Sequence, residues 1–96
     1  MSLQLTENYK GIEANYWKIL STQQNFVQEN TRIVIGLYKD HASRQADKTN
    51  VLKNESYVID SVDLNRAGQY TALKNLVTGK DENGNDVKKF ETALDV

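Results

Sequence analysis

The chain has 96 residues, 39% of them hydrophobic and 26% charged, with 12 Lys and Arg against 13 Asp and Glu, no cysteine and no proline. That length supports one domain able to bury roughly two thirds of the surface exposed on unfolding, and the composition lies clear of the disordered regime. Near-neutral charge offers no general field for nucleic acid or an anionic membrane, and without cysteine the fold cannot rest on disulfides, thiolate metal sites or a nucleophilic thiol.

The opening Met-Ser-Leu-Gln-Leu-Thr-Glu-Asn has no basic cluster leading into an apolar run and reads as no secretory signal. No segment is apolar enough to span a membrane as a helix. Residues 1–11 alternate weakly, with Leu3 and Leu5 on one side and Gln4 and Thr6 on the other, and predict a short edge strand or an arm ending at Lys10-Gly11. Ile12 to Leu20 carries Tyr16, Trp17, Ile19 and Leu20, the bulky density of a strand. Ser21 to Asn25 reads as a polar turn.

From Phe26 to Lys39 the two-residue period places Thr31, Ile33, Ile35 and Leu37 on one face and Arg32, Val34, Gly36 and Tyr38 on the other. Both faces are largely apolar, which predicts a central strand. Gly36 marks a bulge, a close backbone approach, or a tolerated glycine opposite a large aromatic such as Trp17. Asp40 to Asn50 lacks apolar periodicity and reads as a long loop. Val51 to Asp60 predicts a third strand, antiparallel to the central one because a parallel return needs a longer crossover.

At Asp63 to Val77 the period changes: Leu64, Ala67, Thr71, Leu73, Leu76 and Val77 recur at helical spacing, with Asp63 as N-cap and Gly79 past the end. Gly68 weakens such a helix by about 1 kcal/mol relative to alanine, implying tight packing that compensates. Residues 80–96 hold a turn over Asp81 to Asp86 and then a short hairpin or an ordered arm. The expected fold is α+β, an antiparallel sheet of three to four strands packed by one helix, with a core of about 12–79 and the two ends as arms.

Asp81, Asn83 and Asn85 alternate as in the first half of a calcium-binding loop, but the sixth and twelfth positions hold Asp86 and Thr92 rather than glycine and glutamate. Asn-Gly is a strong hairpin signal, so the turn reading prevails there. His41 is the one histidine and has no partners for a triad, and a zinc site around it would need carboxylates for its other ligands. The glycines form neither a dinucleotide fingerprint nor a phosphate loop. Lys39, His41, Arg44, Lys48 and Lys53 make the central loop locally basic, and with Asp40 and Asp47 among them they read as a solvated face. The triplet Asn54-Glu55-Ser56 carries no weight without secretion.

The opening Leu-Thr-Glu-Asn-Tyr-Lys-Gly-Ile-Glu-Ala-Asn-Tyr-Trp-Lys-Ile, the strand Thr31 to Tyr38 leading to Asp40-His41-Ala42-Ser43-Arg44, and the close Asp-Glu-Asn-Gly-Asn-Asp-Val before Phe90 to Val96 resemble small structural proteins encoded in the tail regions of phages and prophages of Gram-positive bacteria. The resemblance implies a virion or assembly component without enzymatic activity. It would form in the host cytoplasm, then join the virion, by packing against other phage structural proteins or copies of itself. No catalytic, cofactor or metal residue is expected, and no nucleic-acid or membrane partner. Trp17, Tyr38 and Tyr57 are expected as core or interface anchors, and His41 and Arg44 as adaptable contacts. The competing function is a host-directed or regulatory adaptor that recruits a partner through a strand edge.

Overall fold

A computed structural model describes residues 2–96, and in it the chain is α+β. Five antiparallel strands form the main sheet: β1 (Leu3–Tyr9), β2 (Ile12–Asn25), β3 (Asn30–Tyr38), β4 (Lys53–Ile59) and the short β7 (Leu94–Asp95), in the order β4-β3-β2-β1-β7. Two helices, α1 (His41–Ala46) and α2 (Arg66–Asn75), and a small hairpin of β5 (Gly79–Lys80) and β6 (Asp86–Val87) complete it.

Local chemistry sets each reversal of direction. Lys10 and Gly11 sit at φ 52° and 84°, the positive values that a two-residue hairpin loop needs to match strand twist, and Tyr9 pairs directly with Ile12. Between β2 and β3 the Asn25 side-chain oxygen accepts the backbone N–H of Val27 and of Gln28, and Glu29 at φ 54° closes the loop. Ser21 to Asn25, expected as a turn, therefore belongs to β2, which pairs through to Asn25↔Asn30. Its polar side chains suit a strand because this end of the hairpin is largely solvated.

The alternation read for the central strand holds, with Thr31, Ile33, Ile35 and Leu37 all buried on one face. β4 pairs antiparallel with β3, as expected for the third strand. Gly36 lies opposite Lys18, and Leu37 opposite Trp17. The space at Gly36 is filled by Leu20 Cδ1 and Val51 Cγ2, each 2.8 Å from where a Cβ would stand. A bulge does accompany it, but on β2, where Leu20 is the extra residue between Ile19↔Ile35 and Ser21↔Val34.

Asp40 to Asn50, expected as a loop, contains α1, whose N-cap Asp40 accepts the Ser43 N–H at 2.7 Å. The N-cap of α2 is Asn65 rather than Asp63: its side chain accepts from Ala67 N and Gly68 N. Asp63 acts just before, taking the Asn65 N–H on its carboxylate while the Gln69 amide binds its carbonyl. A Cβ on Gly68 would stand 2.2 Å from the Asp63 carboxylate, so the glycine makes room for that turn. Tyr70 and Leu73 are the apolar residues α2 buries, while Leu64 precedes the helix and is exposed.

The core is wider than 12–79. Leu3 from β1, and Phe90 and Ala93 from the tail, are buried in one cluster with Trp17, Ile33, Ile35, Leu37, Ile59, Tyr70 and Leu73. The N-terminal segment is thus a sheet strand rather than an arm, and β7 docks on it through Leu3↔Asp95 and Gln4↔Leu94. Met1 of that segment lies outside the described residues.

Candidate functional site

The burial of each expected site residue decides what it can touch. Trp17 is 0% and Tyr38 1% exposed, so neither presents surface to a partner. The Trp17 indole N–H donates to Leu5 O at 3.0 Å and its ring meets Phe90 edge-on at 5.2 Å. Tyr38 donates its hydroxyl to Lys48 O and tethers the segment after α1 to the sheet. Tyr57 is half-buried, its ring edge-on to Phe90 and its hydroxyl donating to the Glu55 carboxylate.

Above Trp17 four charged side chains close a ring. Lys53 Nζ lies against Glu7 Oε2 and 2.9 Å from Glu55 Oε2, while Lys89 Nζ lies 2.8 Å from Glu7 Oε1 and 2.7 Å from Glu55 Oε1. The Lys89 ammonium also stands 4.6 Å from the Trp17 ring centroid. Partial burial opposes ionisation of Glu55, but bonds from Lys89, Tyr57 and Lys53 outweigh it and hold its pKa down at about 2. Glu7 is lowered and Lys53 raised by the same opposition between burial and paired charges. These shifts lock all three groups in their charged forms, the reverse of what a general acid or base near neutrality requires. The ring joins β1, β4 and the tail across the sheet and closes the core beneath it. Lys53, read in the sequence as part of a basic loop, is held in this ring.

His41 and Arg44 do come together. α1 carries both to an open cleft of about 570 Å³, whose walls include Tyr16, Lys18, Asp40 and Val96. The His41 ring is exposed and stacks on Tyr16 at 5.1 Å and 27°. In the β5–β6 hairpin, the Asp81 pKa is lowered because its carboxylate accepts the backbone N–H groups of Asn85 and Asn83, which fold the turn.

An adjacent pair of exposed apolar residues lies elsewhere, at the tip of the β2–β3 hairpin, where Phe26 is 69% and Val27 95% exposed. β1 covers β2 only as far as Leu3↔Trp17. At Ile19 the Tyr70 hydroxyl accepts the backbone N–H at 2.8 Å. From Leu20 to Asn25 no strand among the described residues lies against that side of β2. Both the tip and the open edge escaped the sequence reading. The signal for them was an adjacent Phe26-Val27 set in an uncharged polar run from Ser21 to Gln28.

Comparison of the chain with protein-family models, with curated proteins and with solved structures finds no match. Among the described residues no helix is long and apolar enough to cross a membrane.

Proposed function

We propose that this chain is a non-enzymatic structural or assembly protein of a phage or prophage particle, working through protein–protein contacts. The observation that carries the docking part is the open, uncharged edge of β2 beside the exposed Phe26-Val27 tip. Unpaired strand edges recruit other chains unless charge, proline or a covering element guards them, and here no charge or proline stands between Leu20 and Asn25. The resemblance of the chain to tail-region proteins supplies the particle as the setting. Its partners are then other structural proteins of the particle and copies of itself, with His41 and Arg44 in the α1 cleft as further contacts.

Co-expression with the structural proteins encoded beside it, followed by size-exclusion chromatography with light scattering, tests this proposal. The expected result is a stoichiometric complex or a self-assembled species. A strict monomer at high micromolar concentration that joins none of those proteins would remove the basis of the proposal. Stoichiometric recovery of a host protein from uninfected extract would transfer the function to a strand-edge adaptor.

A further inference from the structure

We infer that the cleft between α1 and the β1–β2 face of the sheet is a binding site for a small organic anion, a carboxylate or phosphate group on a flat apolar body, with Arg44 gripping the anion. This goes beyond the docking function proposed above and does not depend on it.

The cleft forms on the face of the sheet turned away from Trp17. In β2 the side chains of Tyr16 and Lys18 alternate with Trp17 and leave the sheet on the opposite side, and Gln4 joins them because it pairs directly with Tyr16. From α1 come His41 and Arg44, which share one side of the helix by their three-residue spacing. The start of α1 is fixed twice, the Asn15 N–H donating to Lys39 O at 3.1 Å and the Asp40 carboxylate capping the helix through the Ser43 N–H. The walls are therefore held by the fold itself.

Arg44 is the group that asks for a ligand. Its Nε is buried without a hydrogen-bond partner, and it forms no ion pair among the described residues. A buried donor left without an acceptor costs folding free energy, more so on a charged group, and folded proteins leave few of them. The Nε edge of a guanidinium matches two oxygens of a carboxylate or phosphate, with Nε–H and one Nη–H directed to them in parallel. Asp40, the one acidic side chain in the lining, directs its Oδ1 to the Ser43 N–H at 2.7 Å rather than to Arg44. With Lys18 and Arg44 against that single carboxylate, the side chains of the cleft carry a net positive charge.

A bare ion would not fill the space. About 570 Å³ lies within the range of small-molecule pockets, and the rings of Tyr16 and His41, stacked at 5.1 Å and 27°, give it a flat wall against which an apolar body can lie. The hollow beside Phe26 is lined instead by Glu29 and Asp60, which repel an anion.

Titration of the full chain with phenyl phosphate and benzoate, and with their bare counterparts inorganic phosphate and acetate, at constant ionic strength and followed by amide NMR, tests the site. One or both aromatic anions should shift the amides of Tyr16 to Lys18 and of His41 to Arg44 saturably, and the tighter of the two names the anion. Each bare ion should bind more weakly than its aromatic counterpart, and His41→Ala should bring the aromatic anion down toward the affinity of the bare one. Arg44→Gln should weaken binding by about tenfold or more, with the melting temperature kept.

Absence of a saturable shift with either aromatic anion at millimolar concentration, undiminished affinity in Arg44→Gln, or a bare ion bound as tightly as its aromatic counterpart overturns the inference. A chain that binds these anions through Arg44 but joins none of the structural proteins encoded beside it would keep this site and lose the docking function.

Discussion

Trp17 joins a fully buried indole to a hydrogen bond, an edge-on contact with Phe90 and the Lys89 ammonium above it. Trp17→Ala should cost about 3–5 kcal/mol, read by urea denaturation. A loss under 1 kcal/mol would mean the indole is not packed as described. Tyr70 makes a smaller, sharper case, since its hydroxyl takes the Ile19 N–H at the point where β1 stops covering β2. Tyr70→Phe keeps the ring and should cost about 1–3 kcal/mol, because a buried backbone donor loses its acceptor. Glu55 governs the acid response. Its folded pKa of about 2 lies below the ordinary 4.5, so its stabilisation is complete above 4.5 and is lost as pH falls toward 2. Glu7 shifts the same way and adds to the loss over the acid range. The melting temperature of Glu55→Gln should therefore depend less on pH between 5 and 2 than that of the wild type. Equal slopes would remove the charge ring from the account.

At the scale of elements, the sequence showed what periodicity can encode. The alternation of Thr31 to Leu37 and the helical spacing around Tyr70 and Leu73 were legible because burial on one face leaves a pattern in the chain itself. Ser21 to Asn25 were not legible, since a solvated strand needs no apolar residues and is specified by its hairpin partner, Asn30 to Val34. α1 was hidden for a related reason: it buries no residue and depends on the Asp40 cap. Asn65 rather than Asp63 caps α2: both are capping residue types two positions apart, and the Asp63 backbone is tied outside the helix, its N–H donated to the Thr31 hydroxyl. The charge ring draws Glu7, Lys53, Glu55 and Lys89 from three distant segments, and no local pattern announces it. Gly36 carries a prediction at this scale. Gly36→Val would drive its side chain into Leu20 and Val51, at a cost of about 1–3 kcal/mol by calorimetry.

For the whole molecule, the two ends of the chain finish the fold rather than hang from it. β1 and β7 extend the sheet on one side, and Phe90 and Lys89 seal its buried face against Trp17. What stays unfinished is the β2–β3 hairpin, with an open neutral edge and an apolar tip. The proposed docking function rests on that unfinished part, and amide hydrogen exchange of Leu20 to Asn25 at low and high protein concentration probes it most directly. The account predicts that amides on the open side of this stretch exchange rapidly when dilute and become protected at high micromolar concentration, while those of Ile33 and Ile35 remain slow throughout. Exchange along Leu20 to Asn25 that is the same at both concentrations, and the same again with the structural proteins encoded beside it added, would contradict it.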